Sequence, residues 1–94
     1  MLFRSLHIEP GQVLSLQYHT KKDETIHVLK GEIIFRVQRG EELTERRMRE
    51  GESCHIVPPT VHQMEAVTAA DLLEVSTPEV EDVVRLKDRY GRVT

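Results

Sequence analysis

Turn-forming residues recur about every ten positions along this chain, leaving room only for short extended segments. Glu9-Pro10-Gly11-Gln12, Thr20-Lys21-Lys22-Asp23, Lys30-Gly31-Glu32, Arg39-Gly40-Glu41, Gly51-Glu52, Pro58-Pro59 and Pro78 punctuate it. Between them apolar and polar residues alternate, the period of a strand with one face buried. The segments so delimited run Leu2 to Ile8, Val13 to His19, Glu24 to Leu29, Ile33 to Val37, Leu43 to Met48, Cys54 to Val57, Val61 to Val67 and Leu72 to Val75. Many short strands with regular turn signals predict an all-β barrel or sandwich. Only Val80 to Tyr90 departs, with Val80, Val83, Val84 and Lys87 at helical spacing, so a short C-terminal helical segment is expected there. The 94 residues show no internal repeat or linker, which predicts a single domain over residues 1–94.

Charge narrows the function classes. The net charge is −3, with Lys and Arg scattered among Glu and Asp, so neither a nucleic-acid surface nor a membrane patch is indicated. Glu45-Arg46-Arg47-Met48-Arg49-Glu50 reads as the solvated face of an edge strand, its charges guarding against aberrant pairing. No segment approaches the ~20 apolar residues of a membrane span, and the N-terminus lacks the long apolar stretch of a signal peptide. A cytoplasmic location is the default expectation. Cys54 is the only cysteine, so no internal disulfide or thiolate metal site is available, and it reads as a small, buried strand residue.

The chemistry-bearing residues concentrate around two turns. In Gln17-Tyr18-His19, alternate strand positions put Gln17 and His19 on one face and Tyr18 on the other. Glu24 opens the next segment after a four-residue connection, and an antiparallel hairpin is expected to bring it back beside His19. His62 follows Pro58-Pro59-Thr60-Val61 at the start of a later strand. Two imidazoles, a carboxylate and an amide oxygen form a donor set suited to a divalent transition metal: zinc first, then cobalt, nickel, manganese or iron. Four protein donors leave a five- or six-coordinate ion an open position. His27 is three residues beyond Glu24 and faces the other side of its strand. His7 and His55 have no partners at ligand spacing.

These spacings resemble the two motifs of the cupins. Gly11, Gln17, His19, Glu24 and Gly31 fall on the positions of the first motif, with Gln17 where its first His stands. Gly51 and His62 match the spacing of the second, with Val57 and Pro59 replacing its Pro and Gly. The resemblance implies a double-stranded β-helix, a jelly-roll-like barrel, with Gln17, His19, Glu24 and His62 as metal ligands. Leu14-Ser15-Leu16-Gln17-Tyr18-His19 and the ending Asp88-Arg89-Tyr90-Gly91-Arg92 are similar to the cupin domains of bacterial mannose-6-phosphate isomerases and mannose-1-phosphate guanylyltransferases. The upstream Pro-Trp-Gly segment of those domains has no counterpart here.

The resemblance implies a small carbohydrate substrate and an aldose–ketose isomerase acting on a sugar phosphate. Lys22 and Glu74 are the candidate proton carriers. Arg85 and Arg92 are candidate phosphate ligands, because a guanidinium matches phosphate geometry. A metal-dependent dioxygenase and a non-catalytic sugar-binding module are the alternatives. A chain this short exposes much of its apolar surface, and short strands leave edges to cover. Leu2 to Ile8 is therefore the expected pairing strand of a homodimer.

Overall fold

The computed structural model describes residues 1–78 and 82–86. The described residues form β1 (Leu2–Ile8), β2 (Leu16–His19), β3 (Glu24–Lys30), β4 (Glu32–Arg39), β5 (Glu42–Arg49), β6 (Ser53–Ile56), β7 (His62–Ala66), β8 (Ala70–Ser76) and β9 (Val83–Leu86). All the ladders are antiparallel, in two sheets. One sheet has the order β1-β8-β3-β6 and the other β5-β4-β7-β2-β9.

Three expectations need correction. The sheets are not closed into one barrel among the described residues. Closure would need ladders joining β1 to β9 and β6 to β5, and the four-residue strands β6 and β9 end their sheets instead. The helical reading of Val80 to Tyr90 fails where the structure describes it. Val83 and Val84 are β-branched and suit a pleated surface, and β2 offers a free edge on which Leu16 pairs Leu86 and Tyr18 pairs Val84. Val80, Glu81 and Lys87–Tyr90 lie outside the described residues. Finally, β2 and β3 make no hairpin. They belong to opposite sheets, and residues 20–23 cross the gap between them.

The interior changes character along its length. At one end Val28 stands opposite Leu72 and Ile33 opposite Ala66, with Met48 and Ala70 packed beside them. Phe35, Ile26 and Met64 fill the middle. Fully burying a side chain such as Leu72 or Phe35 contributes about 2–3 kcal/mol. Beyond them the inward positions turn polar: Glu24 opposite Ser76 in one sheet, and Gln17 opposite His62 in the other. The outer face of the second sheet is closed by Arg36, only 3% exposed. Its guanidinium bonds Glu45 at 2.8 Å, Glu65 at 2.6 Å and the Gln63 amide oxygen at 3.4 Å. As expected, β5 is an edge strand, and its charges are exposed while Met48 is buried.

Gly31 holds the tight passage from β3 in one sheet to β4 in the other. Its φ is +87°, and a Cβ there would lie 2.2 Å from the Ala69 carbonyl oxygen and 2.9 Å from Ala70 Cα. Gly11, at φ +82°, has nothing within 4 Å of the same position. Gly11→Ala should therefore cost only the left-handed strain of an L-residue, about 1–2 kcal/mol. Gly31→Ala adds a backbone collision, worth roughly a further 1–3 kcal/mol. Urea unfolding of the two variants measures the difference, and equal losses would contradict the steric account.

Candidate functional site

The polar end of the sandwich brings three buried donors together. His19 closes β2, His62 opens β7 and Glu24 opens β3, so two imidazoles come from one sheet and the carboxylate from the other. Glu24 Oε1 lies 3.2 Å from His19 Nε2 and 3.3 Å from His62 Nε2. All three donor atoms fall within 4.8 Å of one another. Exposure is 6% for His19, 3% for Glu24 and 2% for His62.

The surroundings fix how these groups point. The His62 ring stacks on Phe35, with centroids 6.0 Å apart and planes 18° from parallel. Its Nδ1 lies 2.9 Å from the Thr60 carbonyl, which can only accept, so Nδ1 carries the proton and donates. With the ring protonated, Nε2–H donates to the Glu24 carboxylate; with it neutral, an Nε2 lone pair faces that carboxylate, and two acceptors so placed, shut away from water, fit a bound cation. His19 Nδ1 is buried with no hydrogen-bond partner among the described residues. Burial holds the His19 pKa below its ordinary value, although the Glu24 charge opposes this. For Glu24 burial pushes upward, but the His62 hydrogen bond and the charges of His62 and His19 outweigh it and hold the carboxyl below its usual range.

His19 and His62 border a cavity of about 400 Å³. Gln17 lines it and stands directly opposite His62 across the β2–β7 ladder. Its amide oxygen accepts a hydrogen bond from Ser15 Oγ at 2.6 Å. Lys22 and Glu74 also line the cavity, with Nζ 3.7 Å from Oε1. Burial, followed by the neighbouring Glu24 charge, raises the Glu74 pKa. Arg85 reaches the cavity from β9, opposite Gln17. Arg92 lies outside the described residues.

The structure thus gathers Gln17, His19, Lys22, Glu24, His62, Glu74 and Arg85 at one end of the fold. It adds two residues that the sequence reading did not single out. Arg4 lines the cavity from β1, opposite Glu74. Asp82 accepts hydrogen bonds from the backbone of residues 20–22. The Thr20 hydroxyl, the largest influence, joins those backbone N–H groups in holding the Asp82 carboxyl far below the ordinary range. Period-two alternation put Arg4 on the face of Leu6 and Ile8, a signal that was available. The Asp82 contact joins residues about 60 apart, which no local pattern reveals. Other histidines stand where expected. His27 is on the outer face bonded to Ser53, His7 bonds Asp71 and Glu9, and His55 bonds Asp23. Cys54 is only half-buried, against the edge of the core.

Comparison with solved structures places this arrangement among others of the same fold. QdtA, a sugar 3,4-ketoisomerase from Thermoanaerobacterium thermosaccharolyticum in complex with TDP, superposes with a TM-score of 0.79 at 16% identity, over 95% of this chain and 69% of that one. The dTDP-4-dehydrorhamnose 3,5-epimerase from Sulfolobus tokodaii gives 0.78 at 15% identity, over 96% of this chain and 60% of that one. Drosophila melanogaster CENP-C bound to CAL1 gives 0.73 at 18% identity, over 80% and 60%. No curated protein sequence gives a significant match. Residues 4–76 match the Cupin domain family, more than half of the chain and all three buried donors, and the chain therefore belongs to that family.

Proposed function

We propose that this cupin is a metal-dependent isomerase of a small phosphorylated carbohydrate, similar in kind to the cupin mannose-6-phosphate isomerases. The observation that carries the reading is the buried meeting of His19, Glu24 and His62 beside a cavity edged by Arg4 and Arg85, which make no ion pair among the described residues. A divalent ion held by these three, with Gln17 as the fourth donor, supplies Lewis-acid polarisation of a carbonyl. Zinc, cobalt, nickel, manganese and iron all suit such a donor set.

The chain's own residues supply the rest. Across one sheet the inward row runs His62, Gln17, Arg85; across the other it runs Ile26, Glu74, Arg4. Each row ends in an arginine on the edge strand, and among the described residues neither guanidinium makes an ion pair. A phosphate bound at these edges directs the sugar's reacting carbons inward, toward Glu74 and the metal donors. The buried Glu74 carboxyl takes a proton from one carbon and returns it to the next. Lys22, 3.7 Å away, balances its charge when the proton is gone.

Likeness to QdtA and the 3,5-epimerase supports a sugar ligand, and a nucleotide-linked sugar presents the same phosphate chemistry. A second reading is a sugar-binding module without turnover, and the likeness to CENP-C bound to CAL1 supports a binding role for such a fold. Incubation in deuterated water with hexose 6-phosphates and TDP-linked keto sugars separates them. Enzyme-dependent deuterium at the carbon beside the carbonyl is the expected result, and binding without exchange would leave only the module.

The reading also includes a homodimer. β1 ends its sheet, and Leu2 and Phe3 on it are 41% and 69% exposed. Sedimentation equilibrium at micromolar concentration should return twice the chain mass, and a monomer would refute the pairing.

Two substitutions test the site. His19→Ala should weaken Zn²⁺ by more than the roughly 10–100-fold typical of indirect partners, since it removes a direct donor, while the β-sheet circular dichroism persists. Calorimetric titration of the metal-stripped protein measures this. Arg85→Ala should leave metal affinity intact and weaken a phosphorylated sugar by about 1.5–3 kcal/mol more than its unphosphorylated form, one charge-assisted hydrogen bond. Equal weakening of both sugars would remove Arg85 from the phosphate site.

A further inference from the structure

His19 and Glu24 sit on opposite sheets, and residues 20–23 are the short covalent path between them. That path is hydrogen-bonded along its whole length to a second crossing, the one from β8 to β9. Asp82 Oδ1 accepts from the Thr20 backbone N–H at 3.2 Å and from the Thr20 hydroxyl. Its Oδ2 accepts from Lys21 N–H at 2.8 Å and Lys22 N–H at 2.7 Å. At the other end Asp23 N–H donates to Thr77 Oγ1 at 3.1 Å, and Thr77 N–H donates to the Asp23 carbonyl at 3.0 Å. Every backbone N–H from Thr20 to Asp23 is thus bonded to residue 82 or residue 77.

We propose that Asp82 is a positioning residue for the metal donors: its carboxylate gathers the residue 20–22 backbone and so fixes how far apart His19 and Glu24 stand across the gap. The inference rests on the metal-site reading above and adds to it a residue that touches none of the donors. The geometry explains why an aspartate stands there. Four donors converge on one side chain, two on each oxygen, so both of its ends must accept. An asparagine would turn its own N–H toward donors at one end. A residue that only filled space would be replaced by asparagine without effect. The same bonds aim Lys22 into the cavity, because its backbone N–H is one of those held.

Cobalt(II) titration of the metal-stripped protein, followed by its d–d absorption, is the test. Asp82→Asn and Asp82→Ala should each weaken Co²⁺ by at least ~10-fold, the scale seen for residues that orient ligands, and should change the band envelope. Thr20→Val, which removes one donor of four, should weaken it less. Met48→Ala, in the apolar end, should lower Tm while keeping the wild-type affinity and spectrum. That control separates positioning from general loss of stability. Wild-type affinity and spectrum in Asp82→Asn would overturn the proposal. If the wild-type protein takes up no Co²⁺, the metal reading itself falls, and the metal-free protein then decides the positioning role. There Asp82→Asn should shift the ring resonances of His19 and His62 and speed hydrogen exchange of the residue 20–23 amides. Unchanged ring resonances would overturn it.

Discussion

A carboxylate shut between two imidazoles governs the polar end of this fold. Glu24 is almost wholly buried, and an isolated buried carboxylate is expensive enough that it would take up a proton or draw in water. Here His62 and His19 hold it charged from the facing sheet. The attraction therefore acts across the gap rather than within a ladder, and it opposes the tendency of a polar interior to open. Phe35 on the His62 ring and the Thr60 carbonyl on its Nδ1 leave that imidazole little freedom to turn away.

The apolar end makes this possible. Val28, Ile33, Met48 and Leu72 seal one end, and Ile26 and Phe35 fill the middle, so that the other end can hold a cavity and buried charge. The outer face of the second sheet contributes as well. Arg36 is buried outside the sandwich and balanced by Glu45 and Glu65, so its long stem covers sheet surface that a thin core leaves bare. With two carboxylates on one guanidinium, losing either still leaves the Arg36 charge balanced by the other. The network joins β4 to β5 and β7, and β7 carries His62.

Much of this was legible in the chain itself. Period-two alternation between Gly and Pro turns located eight of the strands to within a few residues, because each strand has one buried face and the pattern must follow it. The spacing of His19, Glu24 and His62 anticipated their buried meeting, with Gln17 on the wall of the adjoining cavity. What failed was anything that depended on which strand lies beside which. A four-residue connection suits a hairpin, yet residues 20–23 cross between sheets, since Thr77 and Asp82 satisfy the backbone groups that a hairpin ladder would otherwise pair. The Val83-Val84 pair fits helical spacing and strand alternation equally in so short a segment, and the free edge of β2 decided between them. Arg36 was not read as buried, because its partners Glu45 and Glu65 come from two neighbouring strands.

Gln17 has a place distinct from the three clustered donors. It is the middle member of the row that joins His62 to Arg85, so under the proposed reading it would stand between the metal ligands and the phosphate site. One lone pair of its amide oxygen is already engaged by Ser15 Oγ. The other is free, and an amide oxygen is a neutral donor. Were it the fourth ligand proposed above, a neutral donor would leave the ion more positive than a second carboxylate would, and so better able to polarise a carbonyl. The amide N–H₂ stays available to a sugar hydroxyl or phosphate oxygen lying toward Arg85. A histidine in its place would add a stronger donor but could not accept from Ser15 while ligating and also present two N–H groups to a substrate. The glutamine therefore suits a site that must hold an ion and read an oxygen-rich ligand within one row of side chains.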